Sequence, residues 1–218
     1  MEYDFWHQRW EEDDIGFHQT DVNPLLESHW PGMSREPANV LVPLCGKSLD
    51  MMWLRRRGHR VQGVEMSPVA ADAFFSEHDI EPFRAEAAWG SRLAADGLSV
   101  LVADFFELMR NDLDAVDAVY DRAALVALPP AMRLRYAHKL ASLTASRTPI
   151  FAILFDYDDP GLIGPPFSVP EDEVAALFPE YHLSKLAEHE VLIRNVRVRE
   201  YAIVLEPADA PDDMRVTT

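Results

Sequence analysis

The chain is poor in the residues that most often announce a chemistry on their own. It has one cysteine, Cys45, which excludes an intrachain disulfide and an all-cysteine metal site and fits a reducing compartment, so a cytoplasmic location is expected. Basic residues are scarce: 20 Lys and Arg stand against 37 Asp and Glu, a formal net charge of −17. So acidic a chain repels phosphate backbones and anionic lipid surfaces, which argues against nucleic-acid and membrane partners. The densest basic run, Arg55-Arg56-Arg57, closes an amphipathic segment before Gly58, where positive charge complements a helix C-terminus. No stretch approaches the roughly 20 apolar residues of a membrane span. The segment Met1 to Trp6 lacks the basic and apolar regions of a signal peptide. The histidines are scattered with no H-E-x-x-H or comparable ligand spacing, so no metal is expected.

Glycine is sparse too, and its placement removes two nucleotide-binding motifs. Gly46-Lys47-Ser48 ends like a phosphate-binding loop, but the position five residues earlier is Leu41 rather than glycine, so the nest of N–H groups that wraps a triphosphate is not built. The dinucleotide fingerprint G-x-G-x-x-G is missing as well, which disfavours a nicotinamide-dependent dehydrogenase. A non-catalytic nucleoside-binding module is the remaining rival to an enzyme. What survives is a strand-to-helix turn with one glycine and Leu44 as an apolar wall.

The chain does hold ample core material, at 48% hydrophobic residues, and a domain of this size buries about 70% of its unfolded surface. Short apolar runs alternate with helical patterns. Strands are expected at Asn39–Leu44, Arg60–Glu65, Ser99–Ala103, Ala115–Tyr120 and Pro149–Phe155; helices at Leu49–Arg57, at Val69–Glu77 behind Ser67-Pro68, from Pro130 to about Leu143, and at Pro170–Phe178. His189–Ile193 and Val198–Leu205 read as an antiparallel hairpin. Repeated βα units force parallel pairing. The expected fold class is therefore α/β: a Rossmann-like, doubly wound, mostly parallel sheet with a C-terminal antiparallel hairpin. One domain is expected over residues 1–206, with a frayed tail at 207–218 and a monomer as the simplest state. The aromatic N-terminal segment, to about residue 30, suits a lid.

In such sheets ligands gather outside the carboxyl ends of the strands, and here several strands end in acids. Glu65 lies nineteen residues after Gly46, the spacing at which an acid takes ribose hydroxyls. Asp104, followed by Phe105 and Phe106, suits an adenine: the carboxylate accepts from the amino group while a ring packs the face. These acids, with Asp121, repel a phosphate and attract a sulfonium cation, which favours S-adenosylmethionine over NADP or ATP. Gly164–Pro170, after the fifth strand, is placed to wall a substrate pocket.

At these residues the chain resembles the thiopurine S-methyltransferase family, in the bacterial branch associated with methylating selenium and tellurium oxyanions. The resemblance rests on Phe5–Trp10 with Ile15–His18, Val42–Ser48, Gly58-His59 with Gly63–Glu65, Asp104–Phe106, Tyr120–Leu125 with Ala127–Pro129, and Gly164–Pro170. It implies S-adenosylmethionine as cofactor, contacted by Trp10, Leu44, Glu65, Asp104, Phe105 and Arg122, and a small thiol acceptor touched by Phe17 and Arg122. The mechanism expected for such a site is displacement at the sulfonium methyl by a thiol or thiolate, with Arg122 favouring the thiolate electrostatically and Asp14 or Asp121 as candidate proton acceptors. The chain departs from the family in the acidic, alanine-rich stretch Glu81 to Gly97, where members often carry a strand-like insertion, and its Arg194–Arg199 region does not align clearly.

Overall fold

A computed structural model describes residues 3–12, 19–33, 37–145 and 148–208. Its centre is a nine-stranded sheet in the order β3-β4-β5-β2-β1-β6-β7-β9-β8. The strands are β1 (Asn39–Pro43), β2 (Arg60–Glu65), β3 (Phe83–Ala87), β4 (Gly90–Ala95), β5 (Leu98–Val102), β6 (Ala118–Arg122), β7 (Ile150–Asp156), β8 (Tyr181–Ile193) and β9 (Val196–Pro207). The five middle strands are parallel, and both flanks are antiparallel. The parallel strands are continuous apolar runs because helices cover both of their faces. From β1 the chain winds one way to β2 and β5, then crosses to β6 on the other side of β1. That reversal puts the topological switch point between the ends of β1 and β6.

Local chemistry sets the helices. In α3 (Leu49–Arg56) the Ser48 side chain caps the first turn by accepting from Asp50 N, and Arg55 and Arg56 occupy the last turn. Arg55 also pairs with Asp96 (3.0 Å), and Arg57 lies over the Trp53 ring (4.8 Å), so two of the three basic residues stay within the fold. Ser67 caps α4 (Pro68–Glu77), with proline in its first turn. Asn23 caps α2 (Pro24–Met33): its Oδ1 accepts from Leu25 N at 2.9 Å. α5 (Pro130–Leu143) buries Tyr136, Ala137 and Leu140 against the sheet, and α6 (Glu171–Leu177) precedes the final hairpin. Among the described residues no helix is long and apolar enough to cross a membrane.

The mostly parallel sheet with its terminal antiparallel hairpin is as expected, with two corrections. The stretch Glu81 to Gly97 is not strandless: it folds as the β3–β4 hairpin and extends the sheet beyond β5. Exposure hides it, because β3 carries Ala, Arg and Glu on an open edge and these residues have little intrinsic strand preference. The C-terminal hairpin is also longer than its apolar segments, since β8 starts at Tyr181 and has a register shift between Lys185 and Ala187. Most of the tail expected at 207–218 lies outside the described residues.

Gly63 shows how closely β2 meets the turn after β1. A Cβ there would sit 2.6 Å from Cys45 Sγ and 3.0 Å from Met51 Sδ. Gly63→Val is expected to destabilise the fold by about 1–3 kcal/mol through overpacking, read as a lower urea midpoint at unchanged slope.

Candidate active site

Four chain segments converge at the switch point. After β1, the turn Leu44–Ser48 is held to β2 by Cys45 N donating to Val64 O (3.0 Å). Leu44 (φ 49°) and Gly46 (φ 52°) both adopt left-handed backbone, and the turn's amides face β2. There Glu65 is buried, and its carboxylate staples two loops. Oε2 accepts from Gly46 N (2.9 Å) and Oε1 from Ser67 N (2.7 Å). Each oxygen keeps a further lone pair for a ligand hydroxyl. Burial raises the Glu65 pKa above the usual carboxylate range, while the N–H groups of Ser67, Gly46 and Met66 pull the other way.

Asp104 follows β5 and forms an Asx-type turn in which Oδ1 accepts from Phe106 N (2.8 Å). The turn sends Phe105 inward, where it is 4% exposed and packs against Tyr136 at 5.2 Å. Phe106 stands edge-on to it at 5.7 Å. The fourth segment is the end of β6, where Arg122 precedes Ala123 in left-handed backbone (φ 70°). Trp10, from α1 (Tyr3–Glu11), lies over the turn: a Cβ on Gly46 would be 3.0 Å from its Cζ2.

Trp10, Leu44, Glu65, Asp104, Phe105 and Arg122 all line one cleft. Phe17 and Asp14 fall outside the described residues. Trp6, from the aromatic N-terminal segment, shares the same wall, as do Met132 and Arg135, which the sequence does not single out; Arg135 sits 4.3 Å above the Phe106 ring. Met132 and Arg135 are three apart on α5, so they present one helix face. That spacing was legible, but only contact with the cleft shows which face matters. The proline-rich loop is a correction. None of the cleft-lining residues comes from Gly164–Pro170; the loop instead supports the segment behind the wall, with Phe167 N donating to Val126 O (2.6 Å). Among the described residues no cluster of three or more His, Cys, Asp or Glu is arranged to hold a metal.

Asp121 is a second correction. Strand alternation turns it away from the face used by Arg122, and it is fully buried under α5, accepting from Tyr136 Oη (2.6 Å) and Leu125 N (3.3 Å). Burial pushes its carboxyl up to about 6, against the Tyr136 hydroxyl and the N–H groups of Leu125 and Ala124. Because the folded state holds this proton more tightly than the unfolded chain, Asp121 makes stability fall as pH rises from about 4 to 6. The rise from the ordinary 3.8 corresponds to about 3 kcal/mol. Between pH 4 and pH 7 the native chain should therefore lose about 2 kcal/mol more than Asp121→Asn, the unfolded carboxyl being already mostly ionised at pH 4, compared by urea unfolding at both pH values.

The sequence profile of the thiopurine S-methyltransferase family matches residues 1–208. The chain belongs to this family. A thiopurine S-methyltransferase of Methylococcus capsulatus is 46% identical over 204 residues, covering 91% of each chain. One from Pseudomonas fluorescens is 45% identical over 194 residues, 88% of this chain and 89% of that protein. The chain is accordingly an S-adenosylmethionine-dependent methyltransferase. Solved structures show the same fold at low identity. The 1,6-didemethyltoxoflavin-N1-methyltransferase of Burkholderia thailandensis, with S-adenosylhomocysteine bound, has a TM-score of 0.63 at 17% identity and covers 95% of this chain and 87% of its own. The magnesium protoporphyrin IX methyltransferase of Synechocystis, also with S-adenosylhomocysteine, has a TM-score of 0.60 at 13% identity, covering 93% and 99%.

Proposed function

We propose that the cleft transfers methyl groups to the sulfur of small aromatic or heterocyclic thiols, thiopurines among them. Arg122 carries the reading. Its side chain is 12% exposed, it lies on the cleft wall among Leu128, Met132 and the tryptophans, and no hydrogen bond links its guanidinium to a described residue. A buried cation beside apolar walls suits a flat ring whose sulfur is ionised, and the walls exclude water from that sulfur.

The rest of the cleft fits the cofactor. Glu65 retains acceptor capacity for ribose hydroxyls, Asp104 and Phe105 suit an adenine, and Leu44 and Trp10 supply apolar cover. Bound S-adenosylmethionine supplies an electrophilic methyl group. Arg122 favours the thiolate of the acceptor, and the cleft orders the reacting groups. Glu65 and Asp104 disfavour a phosphorylated ligand, which separates this reading from a nicotinamide or ATP enzyme. The guanidinium equally attracts selenium and tellurium oxyanions, proposed as a second acceptor class in detoxification. A cytoplasmic monomer of one domain, residues 1–206 with the N-terminal segment as lid, completes the proposal.

Calorimetric titration with S-adenosylmethionine, NADH and ATP, followed by turnover with 6-mercaptopurine, selenite and tellurite, tests it. Binding of the first nucleoside alone and methylation of the thiopurine are expected; binding of NADH, or no methylation of any thiol, overturns it.

A further inference from the structure

We infer that Asp50, beneath the cleft and outside its wall, is the positioning residue for Arg122, and that Tyr120 and Asn23 hold it in that task. The inference rests on the role proposed for Arg122. Asp50 is 1% exposed, at the start of α3, with its carboxylate pointed across to β6. Tyr120 and Arg122 are two apart on β6 and so share a face. Asp50 Oδ2 accepts from Tyr120 Oη (2.7 Å) and lies 3.6 Å from Arg122 Nη1. Its Oδ1 accepts from the backbone N of Asn23 (2.9 Å). Asn23 is itself fixed: it caps α2, and its Nδ2 donates to Glu200 Oε1 (3.0 Å), whose other oxygen meets His189 Nε2 at 2.9 Å.

Three features make this more than a structural contact. First, Asp50 is the one acid within ion-pair reach of Arg122 among the described residues. Second, the acids that share the cleft with Arg122 are Glu65 and Asp104, which the cofactor needs; a guanidinium released from Asp50 would be drawn to them. Third, the distance of 3.6 Å is an ionic contact without a hydrogen bond, so Asp50 restrains Arg122 without taking up a guanidinium N–H that a ligand could use. The Tyr120 hydroxyl and the Asn23 amide fix the carboxylate from both sides, and Asn23 caps α2, so the set of Arg122 is linked to the seating of that helix.

A double-mutant cycle separates positioning from stability. kcat/KM for 6-mercaptopurine at saturating S-adenosylmethionine, and the Kd for S-adenosylhomocysteine, are measured for the native chain, Asp50→Asn, Arg122→Ala and the double variant. Asp50→Asn is expected to lower kcat/KM about ten- to a hundredfold, the scale of a lost charged contact, in the Arg122 background and less than twofold when Arg122 is already alanine. An equal loss in both backgrounds, or no loss in the native one, overturns the inference. Arg122→Ala at native kcat/KM and Kd would instead sink the role of Arg122 itself, a distinct result. If Asp50→Asn does not fold, Tyr120→Phe keeps the ring and removes one donor to Asp50. It should lower kcat/KM about threefold to tenfold, less than Asp50→Asn because the carboxylate keeps its charge and its bond from Asn23 N, with the same dependence on Arg122; a loss independent of Arg122, or none, overturns the inference.

Discussion

Glu65→Ala abolishes detectable binding of S-adenosylmethionine at concentrations that saturate the native chain. The expected loss exceeds a hundredfold, because removing this carboxylate does two things at once. It takes away the acceptor proposed for the ribose. It also orphans two amides, Gly46 N and Ser67 N, that donate to it at 2.9 and 2.7 Å. A buried amide without a partner costs about 1–3 kcal/mol, and about 1.4 kcal/mol is a factor of ten in affinity, so the two amides alone reach that range when ligand binding must re-form both loops. Glu65→Gln should rescue little. Its amide nitrogen must face one of the two donors, so one loop stays unclamped. Calorimetry with S-adenosylhomocysteine, alongside circular dichroism to establish folding, reads the effect; a folded alanine variant binding within threefold of native would restrict Glu65 to holding the loops. The raised pKa of Glu65, caused first by burial, adds a pH signature. Cofactor affinity should fall on acidification while the pH is still above the ordinary carboxylate range, since protonation removes acceptor capacity the site uses.

Gly46→Val weakens cofactor binding nearly as much, by a different route. Gly46 has φ +52°, and a β-branched residue in left-handed backbone is a strong outlier, at a cost of about 1–2 kcal/mol for any L-residue. The added Cβ would also press on the Trp10 ring, 3.0 Å from Cζ2 and 3.3 Å from Cη2. Trp10 is 8% exposed and has little room to retreat except away from the cleft. Gly46→Ala should raise the Kd for S-adenosylhomocysteine about tenfold, and Gly46→Val more. In a Trp10→Ala background the same alanine at 46 should cost less, because only the backbone strain remains. If Gly46→Ala binds like the native chain in both backgrounds, the seating of Trp10 over this turn does not matter to the ligand.

The convergence of Leu44, Glu65, Asp104 and Arg122 on one cleft is legible in the sequence, because strand-end acids and one turn glycine between β1 and α3 lie on parallel strands that must present their carboxyl ends together. The same logic misled at Asp121. An acid near a strand end faces the ligand only if strand alternation puts it on that side, and the register that sends Arg122 to the cleft sends Asp121 to the core. The β3–β4 hairpin was illegible because its first strand is exposed and rich in Ala, Arg and Glu. Asp50 was illegible for a third reason: its partners Asn23, Tyr120 and Arg122 are distant in sequence, and nothing local distinguishes a helix-start aspartate that turns inward from one that meets solvent.

The switch point has a kinetic side. β1 and β6 meet through Val40 with Ala118 and Leu41 with Val119, and the Asn39 side chain and amide both donate to Asp117 Oδ2 across a separation of 78 residues. Such a pairing closes a long loop, whereas the hairpins at the two sheet edges close short ones. The edges are thus free to assemble early and the central seam late, and the nucleoside cleft straddles that seam. A chain with native-looking hairpins but an open seam has no cleft, so cofactor binds only the completed fold and raises its melting temperature in proportion to the logarithm of cofactor concentration once well above Kd. In a cell short of S-adenosylmethionine, this enzyme would become less active and also more exposed to proteolysis.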